Sequence, residues 1–367
     1  LKILLAIPSL DTGGAERMMS ELANYWVSKG HQVSLVHMKP EGYQPFYDIS
    51  PHVTMIPMAK GQLHHPTSPW GKIKTYLQSI PHIRQAVKHF KPDVIVSMLH
   101  MSMPMLMATM GMTGVRKIVS ERTDHHHNKI PRILEIFRSF LYKGADIIHV
   151  QTTSSGAYFK GQLKQKIHII PNHLKINGAV KTDYSKMSTI LSVGRLIVSK
   201  KFDNLIRAFH RVHKEYQHLS LTIYGEGPLR STLEKLINNL GLASHVFLPG
   251  RTKGIHDKLV HGDLFVFPSL YEGFPNALCE AMGAGLPVIA SNCSGNIDIV
   301  QDHVNGRLFQ VGDIKGCADI MIELIQDSTQ RERLGRKAKE LAKELEPTRI
   351  FAQWDEMIWG HKSKGDM

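Results

Sequence analysis

The feature that most limits how this chain can fold is an alternation. Apolar runs of strand length recur along its first half, KILLAIPS, QVSLVHM, DVIVSML, KIVSER, ADIIHV and KIHIIPN, and each is followed or preceded by a longer amphipathic stretch. Parallel strands need a crossover connection, usually a helix, so the pattern predicts a parallel sheet covered by helices. After Pro171-Asn172 the periodicity is lost, and residues 173–188 read as a linker. A second series follows: TILSVG, LSLTIYG, HVFLPG, DLFVFPS and LPVIAS. At 367 residues there is room for two domains, each with its own core. The expected class is therefore α/β. Two doubly wound Rossmann-like domains, 1–172 and 189–350, would face a central cleft, with a helix in 351–367 crossing back to the first. Ligands in such sheets bind beyond the carboxyl ends of the strands.

Composition removes several alternatives. No apolar run approaches the ~20 residues of a membrane span, and LKILLAIPSLD is interrupted too soon by Pro8 and Asp11 for a signal peptide. Cys279, Cys293 and Cys317 are odd in number and far apart, which argues against a disulfide framework and fits a reducing cytoplasm. The net charge of +13 is uneven: residues 1–185 hold 22 Lys+Arg against 11 Asp+Glu, residues 186–367 hold 23 against 21. A basic first half suits nucleic acid, anionic lipid headgroups, a phosphorylated substrate, or a surface kept soluble by charge. Aromatics are only 7% and do not interleave with the basic patches, which weakens the reading as a non-enzymatic nucleic-acid-binding protein.

Two nucleotide chemistries are disfavoured by what is missing. The first turn, SLDTGGAER, lacks G-x-G-x-x-G, and the second strand ends His37-Met38-Lys39 rather than in an acid, against a dinucleotide-dependent hydride transfer. No G-x-x-x-x-G-K-[ST] occurs, against a P-loop NTPase. Gly13-Gly14 can still bring backbone close to a phosphate at a helix N-terminus, or can be a plain tight turn. In the second half, ILSVGRLIVSKKFDN sets Arg195 at a strand end, with Lys200 and Lys201 in the next loop, where cations could neutralise a diphosphate. YEGFPNALCEAMGAGLPVIAS, residues 271–291, puts Glu272 and Glu280 at a strand-to-helix turn, where carboxylates can accept hydrogen bonds from vicinal hydroxyls.

Taken together, GGAER, VGRLIVSKK and DLFVFPSLYEGFPNALCEAMGAGLPVIAS with its E-x7-E pair resemble the retaining GT-B glycosyltransferases of family 4, over nearly the whole chain. The resemblance implies a nucleotide-sugar donor, such as a UDP-sugar. Arg195 and Lys200 would bind its diphosphate and stabilise it as leaving group. Glu280, in the first turn of its helix, would accept from the ribose hydroxyls. Glu272 and the backbone amides of Gly273, Phe274 and Asn276 would contact the sugar. Gly14 would approach the diphosphate, and Gly250-Arg251 would lie beside the base. The family has no clear enzyme nucleophile: the departing diphosphate helps deprotonate the acceptor on the same face, so the protein supplies position and electrostatics. No metal or other cofactor is expected, because no Asp-x-Asp stands where a metal-dependent transferase needs one. Adjacent histidines in Asp124-His125-His126-His127 rarely converge on one ion. Where many members carry a histidine near the donor sugar, this chain has Arg122 in IVSERTD, a form similar to the subgroup acting on lipid-linked oligosaccharides with UDP-N-acetylhexosamines.

For the acceptor, residues 70–91 place Ile73, Tyr76, Leu77, Ile80, Ile83, Val87 and Phe90 at helical spacing, with Lys72, Lys74, Arg84, Lys88 and Lys91 elsewhere on the helix and Trp70 leading it. Such a helix fits an anionic membrane surface or a lipid diphosphate, and equally a surface helix packed on its own sheet. The Met-dense stretch 97–112 is an adaptable acceptor wall or a buried helix. The expectation is a transferase of hexose or N-acetylhexosamine to a lipid-linked or polysaccharide acceptor in bacterial surface glycan synthesis. It would be cytoplasmic, peripheral at the inner face of the plasma membrane, without nucleic-acid partners. The enzymatic rival is a UDP-sugar epimerase of GT-B fold.

Overall fold

The computed structural model describes residues 1–58, 69–123, 127, 130–176, 178–252 and 254–360, and for residues 69–76 the backbone alone. The chain divides into two compact units: Leu1–Asn172 with the C-terminal segment from Ile350, and His173–Arg349.

Unit 1 is built on strands β1 (Lys2–Ile7), β2 (Gln32–His37), β3 (Thr54–Pro57), β4 (Val94–Met98), β5 (Arg116–Ser120), β6 (Ile147–Val150) and β7 (Ile167–Ile169). All pair in parallel, in the order β3-β2-β1-β4-β5-β6-β7. Its helices are α1 (Gly14–Ser28), α2 (Pro69–Phe90), α3 (Ser102–Ala108), α4 (Arg132–Tyr142) and α5 (Thr153–Gly156). The central strands are buried along nearly their whole length, which is why they read as unbroken apolar runs rather than alternating ones. Strand order reverses between β1 and β4, and both strands open towards the same carboxyl edge.

Ile83 and Val87 of α2 pack with Leu4, Ala6, Val36 and Ile95 of the sheet. The described part of this helix thus packs most of its apolar face on its own sheet, with Leu77 left exposed. Of the Met-dense stretch, Met98, Met101 and Met105 lie in the core, while Met110 is exposed.

Unit 2 repeats the plan with β8 (Thr189–Val193), β9 (Ser220–Tyr224), β10 (Val246–Gly250), β11 (Leu264–Phe267), β12 (Val288–Ser291) and β13 (Arg307–Phe309), in the parallel order β10-β9-β8-β11-β12-β13. Helices α6 (Phe202–His213), α7 (Arg230–Asn239), α8 (Ile255–Leu259), α9 (Asn276–Gly283), α10 (Ser294–Ile297), α11 (Ile314–Gln326), α12 (Ser328–Lys339) and α13 (Leu341–Glu344) connect them. The alternation of apolar runs thus yields two doubly wound parallel sheets, as expected from the sequence. The reversal here lies between β8 and β11.

Residues 173–188 form no helix or strand where described, yet they are fastened to unit 2. Tyr184 is buried and donates to Gly285 O at 2.9 Å, and Lys181 pairs with Asp263 at 2.8 Å. Asp263 also accepts from the backbone N–H groups of Ser188 (2.8 Å) and Thr189 (3.0 Å). Burial would raise this carboxyl, but Lys181 and those amides hold it below its ordinary value. The last helix, α14 (Pro347–Trp359), docks on unit 1: Asp355 accepts from Tyr25 Oη at 2.6 Å and Trp26 Nε1 at 2.9 Å, and Trp354 meets Trp26 edge-on. Among the described residues, no helix is long and apolar enough to cross a membrane.

Candidate active site

At the carboxyl edge of the second sheet, three strand-end turns lock together. After β8 the chain turns at Gly194-Arg195, leaving Arg195 exposed and Leu196 buried. Leu196 donates its N–H to Glu226 O at 2.9 Å and accepts from Leu229 N at 3.1 Å, so the turns after β8 and β9 are tied. Gly225 makes this contact possible: its φ is +151°, and a Cβ there would lie 1.8 Å from Gly194 O. Leu270 N donates to Ser199 O at 2.7 Å, tying in the turn after β11.

This stitching delivers Lys200 to Glu272. Lys200 Nζ donates to Glu272 Oε1 at 2.5 Å and lies 4.8 Å from the Phe267 ring centroid. Ser269 Oγ donates to the same carboxylate oxygen at 2.5 Å. Beneath it, Ser291 Oγ donates to Ser269 O at 2.5 Å, and Asn296 Nδ2 to Ser291 O at 2.9 Å. A Cβ on Gly295 would come within 2.6 Å of Glu272 O, so α10 lies directly against the Glu272 backbone. The side chain is thus buried, ion-paired and held from two sides.

Glu280 differs from expectation. It is the fifth residue of α9, one turn beyond the N-terminus, because the helix starts at Asn276; the first turn carries no acid. A charge that deep interacts weakly with the helix dipole, which acts within the terminal turn. Phe274 is buried, leaving its backbone for any ligand, while Gly273 and Asn276 are half-buried. Arg251 is exposed just after β10. It acts electrostatically on Glu226, whose carboxyl is pulled below its usual range chiefly by Arg230, its partner at 2.5 Å.

Unit 1 presents a second cationic edge. Gly14 is the first residue of α1, and Glu16 sits in its first turn. Arg122 lies two residues past β5, with Nε donating to Ser120 Oγ at 3.0 Å, Nη1 to Asn172 Oδ1 at 2.6 Å, and its guanidinium 6.0 Å from the Trp354 ring centroid. Ser120 Oγ is also 2.7 Å from His149 Nδ1, while His149 Nε2 is 2.9 Å from Ile170 O. A carbonyl can only accept, so Nε2 carries the proton and Nδ1 accepts from Ser120. Burial, then Arg122, holds His149 well below its ordinary pKa, consistent with that neutral form. Burial pushes the Arg122 guanidinium down to about 9, with Glu16 opposing. Its Nη2 is shielded from solvent and has no hydrogen-bond partner among the described residues.

The acceptor candidates separate. Arg84 is half-buried, and its Nη1 donates to Ala108 O (2.9 Å) and Met110 O (3.3 Å) at the end of α3. Lys88 and Lys91 are exposed. Trp70, Lys72 and Lys74 lie outside the residues whose side chains are described, as do Asp124, His125 and His126. Among the described residues no three His, Cys, Asp or Glu side chains group as metal ligands.

Sequence reasoning missed Ser269, Ser291, Gly295 and Asn296, the supports of Glu272. It also missed the Gly225-Glu226-Gly227 turn. Their signal was present as small or polar residues at or just beyond the ends of β9, β11 and β12.

Comparison with known proteins agrees with this layout. The family model Glycosyltransferase Family 4 matches residues 12–176, and Glycosyl transferases group 1 matches residues 178–341. A Campylobacter jejuni enzyme is 26% identical over 364 residues, covering 98% of both chains; it is a GalNAc-alpha-(1->4)-GalNAc-alpha-(1->3)-diNAcBac-PP-undecaprenol alpha-1,4-N-acetyl-D-galactosaminyltransferase. Among solved structures, sucrose-phosphate synthase from Thermosynechococcus elongatus superimposes with a TM-score of 0.83 at 17% identity, covering 97% of this chain and 98% of that one. Anabaena HepE in complex with UDP-glucose gives 0.79 at 18% identity, over 98% and 99%. Two doubly wound units, matched in order by the two halves of one family's pattern, make this chain a family 4 glycosyltransferase of GT-B fold.

Proposed function

We propose that the enzyme transfers a hexose or N-acetylhexosamine from a UDP-sugar to a lipid-linked or polysaccharide acceptor, with retention of configuration and without a metal, in bacterial surface glycan synthesis. The observation that carries this reading is the Lys200–Glu272 pair beside Arg195 at the carboxyl edge of the second sheet. Unit 2 then binds the donor. A diphosphate draws the Lys200 ammonium away from Glu272 and takes Arg195 as a second cation, which stabilises the leaving group as negative charge develops on it. Glu272 Oε1, freed of Lys200, and Oε2 accept from sugar hydroxyls; Glu280 accepts from the ribose; the Gly273, Phe274 and Asn276 backbone and Arg251 complete the donor contacts. Retention follows when a leaving phosphate oxygen takes the acceptor proton on the face from which it departs. Gly14 and Arg122 are the anion-binding candidates of unit 1.

The Campylobacter relative's lipid-linked substrate and the UDP-glucose bound to HepE support the choice of acceptor and donor class. Peripheral placement at the cytoplasmic face of the plasma membrane belongs to the same proposal. The test is transfer from a panel of UDP-sugars to an undecaprenyl-diphosphate-linked glycan, in EDTA, with the product anomer read by NMR. Retained configuration and undiminished rate are expected. Inversion, a rate lost in EDTA and restored by Mn²⁺, or interconversion of the UDP-sugar without any acceptor, the mark of an epimerase, would each overturn the reading.

A further inference from the structure

Helix α4 is amphipathic the wrong way round. Its outward face carries Ile133, Ile136, Phe137 and Phe140, exposed by 76%, 64%, 40% and 58%, spaced i, i+3, i+4 and i+7 along one stripe. Ile130 extends the stripe before the helix begins. Its inward face carries a charge: Arg138 is only 4% exposed. That guanidinium donates to Glu135 at 2.8 Å, faces Glu121 at 3.9 Å, and lies 5.3 to 5.8 Å from the rings of Tyr142, Tyr158 and Phe159. Tyr142 Oη also donates to Glu121. This buried network pins the helix. Turning it to hide the stripe would break the contacts of Arg138 and Tyr142 with Glu121 and take Arg138 away from the rings of Tyr158 and Phe159, so the apolar residues stay outside.

Exposed cations flank the stripe: Arg132 on α4, Lys143 at its end, and Lys160 and Lys164 in the following segment. The half of the sequence to which they belong, residues 1–185, holds 22 Lys+Arg against 11 Asp+Glu. An apolar stripe with basic borders is complementary to a bilayer interface, with acyl chains taking the apolar groups and anionic headgroups the cations. We propose that α4 is the membrane-docking element of this enzyme. It lies in the plane of an anionic bilayer with Ile133, Ile136, Phe137 and Phe140 below the headgroups and Arg132, Lys143 and Lys160 among them. This deepens the lipid-linked acceptor reading and rests on it; among its described side chains α2 exposes one large apolar group, Leu77, against four on α4.

The test is co-sedimentation of the full chain with phosphatidylethanolamine–phosphatidylglycerol vesicles, without donor or acceptor, so that the outcome does not depend on transfer. The quadruple variant Ile133→Ser, Ile136→Ser, Phe137→Ser, Phe140→Ser should keep its fold, since all four side chains are exposed, and lose binding by about 30-fold or more. Changing Arg132, Lys143 and Lys160 to Gln should abolish the preference for these vesicles over phosphatidylcholine. A Phe140→Trp variant, readable whatever the fate of the quadruple variant, should shift its fluorescence to the blue on adding vesicles and be quenched by brominated acyl chains. Vesicle binding by the quadruple variant equal to wild type, or a Phe140→Trp spectrum that vesicles leave unchanged, would overturn the proposal. So would a wild-type dimer that the quadruple variant converts to monomer, since a second copy would then cover the stripe. Vesicle binding without sugar transfer would count against the transferase reading alone.

Discussion

At the carboxyl edge of the second sheet Lys200 meets Glu272 at 2.5 Å; at the same edge of the first sheet the hydrogen-bond acceptors of Arg122, Ser120 and Asn172, are neutral. The topology is shared, with strand order reversing at β8/β11 in one unit and β1/β4 in the other. The charge is handled differently. In unit 2 the cation is already compensated, so on the proposed reading an incoming diphosphate would exchange one carboxylate for another anion. In unit 1 the guanidinium is desolvated, pushed down to about 9, and has one nitrogen without a hydrogen-bond partner among the described residues. Folding itself carries that cost, which an anion would relieve. An ion pair that must open can gate a reaction; a desolvated cation hydrogen-bonded to neutral acceptors can only wait for its ligand.

The comparison can be broken first at Lys200. Lys200→Ala leaves Glu272 buried without its counterion and removes a contact made to the leaving group, so kcat should fall by about 10²-fold or more, close to 2.7 kcal/mol, in the UDP-sugar transfer assay. Arg195→Ala, at a residue that is exposed and has no side-chain partner among the described residues, should fall by a similar factor without loss of Tm. Near-wild-type turnover in both would remove the diphosphate role.

Asp263 gives the next effect and sharpens the contrast, because its pair with Lys181 serves the fold alone. Asp263→Asn should destabilise unit 2 by about 2–3 kcal/mol in urea unfolding at neutral pH, with transfer rate intact while the protein remains folded. The carboxyl is held below its ordinary value, so its contribution is present above pH ~4 and is lost as pH falls through the lower folded value. The gap between variant and wild type should therefore close in acid; a gap that is flat with pH would show the pair to be ornamental.

Arg122→Met should cost about tenfold in kcat/KM for transfer, roughly 1.4 kcal/mol, while changing stability by less than about 1 kcal/mol, since losing a desolvated charge offsets the two lost hydrogen bonds. A large drop in Tm with unchanged kinetics would make it a structural residue and dissolve the comparison. The smallest effect is expected on α2. Lys88→Gln with Lys91→Gln should weaken binding to anionic vesicles by less than about threefold at physiological salt, where exposed charges are screened over ~8 Å. A larger loss would move the membrane surface from α4 to α2.

Much of the site was legible because it is written locally. Strand ends, a Gly-Arg turn and the spacing of two glutamates lie within short windows, and the chain's own connectivity brings each to a strand's carboxyl end. Glu280 was misplaced by one turn because Pro275 caps the helix later than the motif suggests; its residues are the same, but the first helical hydrogen bonds start at Asn276. Arg84 shows what the helix wheel leaves out: its place fits a solvent-facing cation, and in the fold it also donates to the carbonyls of Ala108 and Met110, at and just beyond the end of α3.

By itself the sequence determined two parallel sheets, their covering helices and which residues stand at the carboxyl edge of the second sheet, since each depends on periodicity and turn chemistry within a few residues. Only the tertiary structure decided that Lys200 and Glu272, 72 positions apart, share one bond, that Arg122 sits against Trp354 of the last helix, and that α4 faces outward with its apolar side. RILEIFRSFLY is amphipathic, and its pattern alone predicts the face of Ile133, Ile136, Phe137 and Phe140 to be buried, whereas it is exposed. The choice was made by Glu121 on a neighbouring strand end and by Tyr158 and Phe159 further along the chain, which offered Arg138 a partner and an aromatic cage; burying a charge is tolerable only where such partners already stand.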